Sequence, residues 1–308
     1  RHLYSWGLNI FGQLGLGHNN NIGEPSLIDK LAIFDDSNNI KEMKFLENLD
    51  IIDIKAAPQH SLILLSDNNI YSCGFAKFGA LGYYFNEDEN EINDNNIFTK
   101  IELKKYSDNK KITQIAAGFA HSACVMDNTD FLIWGKNNNF IFDGIQKYSI
   151  EDLLSKNDER DIQEVLIKDF QIGKDFAVIL TTSGYVLTEG DNSMGQLGKT
   201  EQRDFFDLVN LPESIKEISV GYDYTYAIGT SGKIYAWGSN KYGQIPEYDK
   251  NICNVPFTVT RLAELEPISI SCGGYHISSI CKKEVKIDDK VKYFTNLPLN
   301  KWFNTDNF

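Results

Sequence analysis

His60-Ser-Leu-Ile-Leu-Leu-Ser-Asp-Asn-Asn-Ile-Tyr-Ser-Cys-Gly74 is two short apolar runs hinged on Asp67-Asn-Asn69. Runs of this length, apolar or aromatic and broken by residues that tolerate positive φ or cap a turn with their own side chains, read as a hairpin buried on both faces. The pattern recurs at one fixed distance. Fourteen residues separate His60 from Gly74, His121 from Gly135, Phe176 from Gly190 and Tyr224 from Gly238. The turns between are Asp67-Asn-Asn69, Asp127-Asn-Thr129, Ser183-Gly184 and Ser231-Gly232. Each ring-bearing residue ends a motif of its own: Ala57-Pro-Gln-His60, Gly118-Phe-Ala-His121, Gly173-Lys-Asp-Phe176, Gly221-Tyr-Asp-Tyr224 and Gly273-Gly-Tyr-His276. A further glycine strand, Tyr4-Ser-Trp-Gly7, has no such motif upstream, and His276 has no glycine strand downstream. Self-similarity near 50 residues with two strand signals per unit specifies a propeller or solenoid.

Beyond the closing glycine the copies continue alike. Trp6-Gly-Leu-Asn-Ile-Phe-Gly-Gln-Leu-Gly15 is the fullest, Gly190-Asp-Asn-Ser-Met-Gly-Gln-Leu-Gly198 and Trp237-Gly-Ser-Asn-Lys-Tyr-Gly-Gln244 keep most of it, and Gly74-Phe-Ala-Lys-Phe-Gly-Ala-Leu-Gly82 is looser. Gly135-Lys-Asn-Asn-Asn139 loses the later glycines. With the preceding Gly-x-x-His-Ser element, these stretches resemble the regulator of chromosome condensation repeat family over roughly residues 1–285. The resemblance implies an all-β propeller of about four strands per blade, in which Gly7, His60, Gly74, His121, Gly135, Gly190, Gly238 and His276 are structural repeat positions. Prolyl or β-branched segments such as Pro25-Ser-Leu-Ile28 and Pro256-Phe-Thr-Val259 are expected to open units.

Counting back from Gly7 puts Arg1 in phase with residue 284, so joining Lys283 to Arg1 restores a whole repeat. Five blades are therefore expected, with the N-terminal strand completing the last one and leaving no open edge. The division expected is a propeller over residues 1–285 and an aromatic-rich tail, 286–308, packed back on it through residues such as Tyr293, Phe294, Trp302 and Phe303.

The 308 residues carry 30 Lys plus Arg against 43 Asp plus Glu, a net charge of −13. That balance argues against direct DNA binding, which needs clustered cations on the phosphates. It suits either a basic protein partner steered electrostatically or plain solubility. The five cysteines (Cys73, Cys124, Cys253, Cys272, Cys281) form no Cys-x-x-Cys pair, and no asparagine lies in a glycosylation sequon, as expected of a cytoplasmic or nuclear protein. No apolar run approaches a membrane span and no signal peptide is visible. The first residue is Arg1 rather than Met, which is compatible with a longer parent chain.

Several stretches invite chemistry. Asn86 to Asn96 carries Glu87, Asp88, Glu89, Glu91 and Asp94, readable as an acidic partner-binding loop or as a solvated asparagine-rich insertion. Phe140 to Glu164 contains Ser149-Ile-Glu-Asp152 ahead of Leu153-Leu154, a short capped helix that is either a partner-binding protrusion or a packed crossover. Gly198-Lys-Thr200 mimics the end of a phosphate loop, but Ser193 stands where its first glycine belongs. His60, His121 and His276 fall at equivalent positions of different blades, and Phe176 and Tyr224 stand in for them elsewhere, which no metal ligand would allow. The expectation is a structural histidine bonded to backbone within its own blade, with no metal, no cofactor and no catalytic side chain. Within the family, the resemblance implies either a non-catalytic protein-interaction scaffold or, as the alternative, guanine-nucleotide exchange on a Ran-type small GTPase. No loop here matches the residues that carry exchange, and the acidic balance lacks a basic arm, so the scaffold reading leads.

Overall fold

The computed structural model describes residues 2–34, 40–46, 49–83, 94–135, 144–156, 165–200 and 206–283. The tail and most of the acidic loop lie outside them, so Glu87, Asp88, Glu89 and Glu91 have no structural reading.

The fold is all-β. β1 (Leu3–Gly7) and β2 (Ile22–Ile28) form a two-stranded sheet. β3 (Lys30–Phe34), β4 (Ile40–Phe45), β5 (Ile51–Ala56), β6 (His60–Leu65), β7 (Ile70–Gly74) and β8 (Asn95–Lys100) form a six-stranded one. Three four-stranded sheets follow. The second blade has β9 (Ile112–Ala117), β10 (His121–Met126), β11 (Asp130–Gly135) and β12 (Gln146–Ser149). The third has β13 (Ile167–Ile172), β14 (Phe176–Thr181), β15 (Val186–Gly190) and β16 (Asp207–Leu208). The fourth has β17 (Ile215–Val220), β18 (Tyr224–Gly229), β19 (Ile234–Ser239) and β20 (Ile252–Thr258). β21 (Pro267–Cys272) and β22 (Ile277–Cys281) end the described chain as a second two-stranded sheet. Among the described residues three short helices, α1 (Lys104–Ser107), α2 (Ile150–Lys156) and α3 (Thr260–Glu264), lie in the crossovers between blades.

The spacing of 14 is a register. His60 pairs with Gly74, His121 with Gly135, Phe176 with Gly190 and Tyr224 with Gly238 across antiparallel strands. The closing glycines are needed there. Gly135 has φ +103°, and a Cβ on it would stand 2.2 Å from the carbonyl oxygen of Ala120. That is both the left-handed region and a forbidden contact. The partner motif needs its glycine for another reason: a Cβ on Gly221 would lie 2.2 Å from the ring of Tyr224, which folds back over it.

Alternate residues of each central strand face opposite neighbours. Leu132 and Trp134 pack toward the first blade, whereas Phe131 and Ile133 pack toward the third. Tyr235 and Trp237 repeat the arrangement one blade on, facing back toward Val178 and Leu180. The core is thus a row of inter-blade layers, which explains why the strands are apolar on both faces.

Three sequence expectations change, and at the Ser149 region the structure selects one of the two alternatives. The segments holding Pro25 and Pro256 are the outermost strands, β2 and β20, and finish a unit rather than open one; an outer strand is where a missing N–H is tolerated. The first blade is wider than expected, because β3 joins β8 in parallel at Ala32 and Thr99 and brings β4 with it. The Ser149 region is a packed crossover, with Ile150, Leu153 and Leu154 of α2 buried. Among the described residues the closure is not made: β1–β2 and β21–β22 are separate sheets, each packed on its own neighbouring blade. The phase of the repeat does not specify the angle between successive blades, and that angle decides whether a ring closes.

Candidate functional face

The glycine-closed third strand of each unit runs into a loop whose geometry is fixed by two side chains. In the first copy Asn9 Oδ1 accepts from Leu14 N at 2.9 Å while its Nδ2 donates to the carbonyls of His18 (2.7 Å) and Asn20 (3.1 Å). Gln13 Oε1 accepts from Phe11 N at 3.0 Å. The same frame recurs. Asn192 accepts from Leu197 N and Gln196 from Met194 N. Asn240 accepts from Ile245 N, and Gln244 from Tyr242 N at 2.8 Å. Asn9, Asn240, Gln13 and Gln196 are buried polar groups made acceptable by their hydrogen bonds, whereas Gln244 keeps one through Oε1 and leaves its buried Nε2 without a partner among the described residues.

What the frame holds outward is the pair of residues between Asn and Gly: Ile10 and Phe11, Ser193 and Met194, Lys241 and Tyr242. The looser copy, with Ala76 and Ala80 at the frame positions, places Lys77 and Phe78 there. Ile10, Met194 and Tyr242 are exposed apolar or aromatic side chains on a rigid backbone. Their chemistry changes from copy to copy on a constant support, as recognition residues on a scaffold do.

Beside these loops lie the turns between first and second strands, and consecutive turns are laced together. Lys174 N donates to Tyr222 O at 2.8 Å, and Tyr222 N donates to Gly274 O at 3.2 Å. On this rim Tyr275 meets Tyr222 and Tyr242 edge-on, with ring centroids 5.2 Å apart in both pairs. Tyr275 and Tyr242 are both exposed. Lys241 Nζ sits 5.5 Å from the Tyr242 ring centroid. Burial raises the Asp223 carboxyl above its usual range; Lys174 opposes the shift and Asp191 adds to it. Burial, and then Asp223, raise the Tyr275 hydroxyl. Lys174 Nζ is 3.8 Å from Asp175 Oδ2. The rim therefore joins aromatic faces to Asp175, Asp191 and Asp223, with Lys174 as a local counter-charge. A second aromatic group, Phe11 against Phe75 (4.7 Å) and Phe75 against Phe78 (5.3 Å), occupies the corresponding loops of the first units.

Of the residues singled out in the acidic loop, Asp94 alone is described. Its Oδ1 accepts from Ala76 N at 3.2 Å, and burial raises its carboxyl, so it braces the looser loop rather than meeting solvent as a free charge. Of His60, His121 and His276, His60 is the one whose side-chain bond is defined, and it ties to the next blade rather than to backbone within its own. His60 Nε2 lies 2.8 Å from Ser122 Oγ in the next blade, and that hydroxyl donates to Ala80 O at 2.8 Å. Burial and then His121 hold the His60 ring neutral, with a pKa lowered to about 3. Tyr224 makes the same kind of tie, donating to the carbonyls of Gly273 (2.9 Å) and His276 (2.7 Å) across the following interface. His60 and Tyr224 thus each join one blade to the next. Sequence spacing places a side chain on a strand but not its partner 62 residues away.

Among the described residues no group of three His, Cys, Asp or Glu is placed to hold a metal ion. No described helix is long and apolar enough to cross a membrane. Gly198-Lys-Thr200 has a structural explanation, since Lys199 Nζ donates to the carbonyls of Thr188 and Asp207.

A row of four-stranded antiparallel blades with framed loops at one end defines a repeat protein of the β-propeller class. The profile of the regulator of chromosome condensation (RCC1) repeat matches residues 2–64 and 231–280, and a second profile of that repeat matches 215–244. Residues 2–64 and 215–280 carry regulator of chromosome condensation repeats. It is 32% identical over 160 residues to the Drosophila melanogaster protein "Regulator of chromosome condensation", covering 50% of this chain and 26% of that protein. It is 25% identical over 199 residues to the human E3 ubiquitin-protein ligase HERC2, covering 64% of this chain and 4% of the ligase. The chain thus spans about a quarter of the fly relative and a small part of the ligase. Yeast RCC1 (Prp20), solved with Kap60 bound, superposes with a TM-score of 0.70 at 22% identity, covering 91% of this chain and 62% of that one.

Proposed function

We propose that this chain is a non-catalytic protein-interaction scaffold that binds a basic segment of a partner protein at the tyrosine-carboxylate rim. The observation that carries the reading is the conjunction of Tyr222, Tyr275 and Tyr242 with Asp223 and Asp191 at one end of the blades. Aromatic faces and carboxylates together favour guanidinium or ammonium groups over neutral ones. The net charge of −13 adds long-range attraction for a cationic partner. The framed loops make the face rigid before binding, which lowers the ordering cost.

The test is fluorescence anisotropy of a labelled arginine-rich peptide against the folded chain. Binding that weakens with salt and is measurably weaker in Tyr275→Ala and Asp223→Asn supports the reading. Absence of binding at low salt overturns it.

Guanine-nucleotide exchange on a Ran-type small GTPase is the second reading. It is favoured by the identity to the fly regulator of chromosome condensation. It predicts faster release of labelled GDP from such a GTPase, and it uses the same rigid platform without requiring a catalytic side chain.

A further inference from the structure

The first strands β9, β13 and β17 each pair on one side only, with the second strand of the same blade. Gly118 N donates to His121 O and Gly173 N to Phe176 O, both at 2.8 Å. Alternate residues of a strand direct their amides and carbonyls to opposite sides. Ile115 and Ala117 of β9, and Phe170 and Ile172 of β13, therefore turn these groups away from their own blade, to a free inner edge. Backbone groups on such an edge need partners.

Further along the chain the preceding blade supplies them. Gln171 Oε1 accepts from Val220 N at 3.0 Å while its Nε2 donates to Ile218 O at 3.1 Å. Glu217 Oε1 accepts from Ile270 N at 3.3 Å, and Ser219 Oγ from Cys272 N at 2.8 Å. Gln171 and Ser219 stand five residues before Phe176 and Tyr224; the same position is Lys55 in β5 and Ala116 in β9. Alanine has no group to offer, and an ammonium cannot accept from an amide. Lys55 turns instead to Asp53, 3.2 Å away, whose Oδ1 also takes the amide of Ile54. Among the described residues, the inner-edge amides of Ile115, Ala117 and Ile172 meet no protein acceptor.

A cleft of about 450 Å³ opens along these edges, a volume typical of small-molecule sites. Its polar lining is Asp53 and Lys55 from β5, Gln114 from β9, and Lys168, Asp169 and Gln171 from β13. Burial raises the Asp169 carboxyl; hydrogen bonds from Gln171 and from Phe170 N oppose the rise, and Lys55 and Lys168 oppose it further. A carboxylate and an ammonium from different blades thus lie within electrostatic reach of each other, beside an open strand edge. Phe170, the aromatic residue of the lining, has its ring in the core between blades, so no ring face is offered to a base or a sugar.

We propose that this cleft binds a short peptide with free termini. Its amide pairs with the open edge of β9 at Ile115 and Ala117, as an added strand does. Its terminal carboxylate meets Lys55 and its terminal ammonium meets Asp169. A ligand here must replace the water that any open edge binds, and a peptide main chain reproduces those hydrogen bonds where an apolar molecule does not. The site stands apart from the tyrosine-carboxylate rim and does not depend on it.

Calorimetric titration of the 308-residue chain with the dipeptide Ala-Ala, whose methyl groups require no pocket of their own, tests the proposal. Saturable binding is expected, weaker by about tenfold or more for N-acetyl-Ala-Ala-amide, which lacks both charges. Lys55→Met and Asp169→Asn should each weaken Ala-Ala to a similar extent. Ala116→Gln copies Gln171 and should lace the edge shut, abolishing binding while Tm stays at or above that of the wild type. Hydrogen–deuterium exchange gives a readout on the unaltered chain: saturating Ala-Ala should slow exchange in β9 and leave β17, whose edge is already laced, as it is. A wild type that shows no saturable binding of millimolar Ala-Ala overturns the inference. So does binding left unchanged by Lys55→Met or Ala116→Gln in variants whose melts show them folded, or exchange in β9 that saturating ligand does not alter.

Discussion

The indole N–H of Trp134 donates to the carbonyl of Ala80 at 2.8 Å, joining the third strand of one blade to the glycine-rich loop of the blade before it. Trp237 repeats the bond to Gln196 at 2.9 Å. The loop that holds its side chains outward is therefore pinned from below by the next repeat, so stability and the shape of the face share the same contacts. Trp134→Phe keeps the apolar packing and removes the donor from a buried carbonyl that Ser122 also serves. A loss of about 1–2 kcal/mol in urea unfolding is expected, and unchanged stability would show that the indole bond does not matter.

The closing glycines give a sharper contrast. Gly135→Val and Gly238→Val each place a Cβ on a positive-φ residue, 2.2 and 2.4 Å from a carbonyl oxygen. Both should lose roughly 2–4 kcal/mol. Gly7→Ala has the same φ penalty without the clash and should cost only about 1–2 kcal/mol. Equal melting of all three variants and the wild type would remove the basis for the repeat register.

Acid sensitivity follows from His60. The folded protein holds this ring neutral down to about pH 3, whereas the unfolded chain titrates near 6.5. Below 6.5 the unfolded state binds a proton that the native state refuses. The site's contribution is therefore complete above that pH and declines as pH falls, by at most ~1.4 kcal/mol per pH unit. His60→Phe, which copies the ring found at Phe176, should flatten the acid limb of the Tm–pH curve. An unaltered limb would mean that His60 does not titrate in this way.

The rim should separate binding from folding. Tyr275 and Tyr242 are exposed, so Tyr275→Ala and Tyr242→Ala should shift Tm little while weakening a cationic partner by about 0.5–1 kcal/mol for each ring removed. Calorimetric titration beside a thermal melt reads both quantities. Parallel loss of stability and binding would make the tyrosines structural.

The hairpin reading of residues 60–74 carried the fold because a 14-residue spacing in an antiparallel pair is itself a register, and a register is local. The same reasoning could not reach contacts between blades. His60 meets Ser122, and no periodicity within either strand reports that meeting. The β3–β4 hairpin escaped because Lys30–Phe34 and Ile40–Phe45 belong to no repeat copy and join the sheet through one parallel bridge, Ala32 with Thr99. At the functional face, the Asn-x-x-Gly-Gln stretches were visible as repeat signatures. That Asn240 and Gln244 hold Lys241 and Tyr242 outward emerged only from their hydrogen bonds. The carboxylates of the rim went unmarked because Asp175, Asp191 and Asp223 are far apart in sequence and form no charge run. The acidic run that sequence did mark has its described member, Asp94, serving a backbone amide.

The central claim is that this face binds a protein without acting on a nucleotide site. The most direct measurement is release of fluorescent GDP from a Ran-type GTPase, with and without the folded chain, alongside binding of the arginine-rich peptide to the same preparation. The account predicts peptide binding that depends on Tyr275 and Asp223, and GDP release no faster than the GTPase alone. Accelerated release that disappears in Tyr275→Ala would contradict it and make the face an exchange surface.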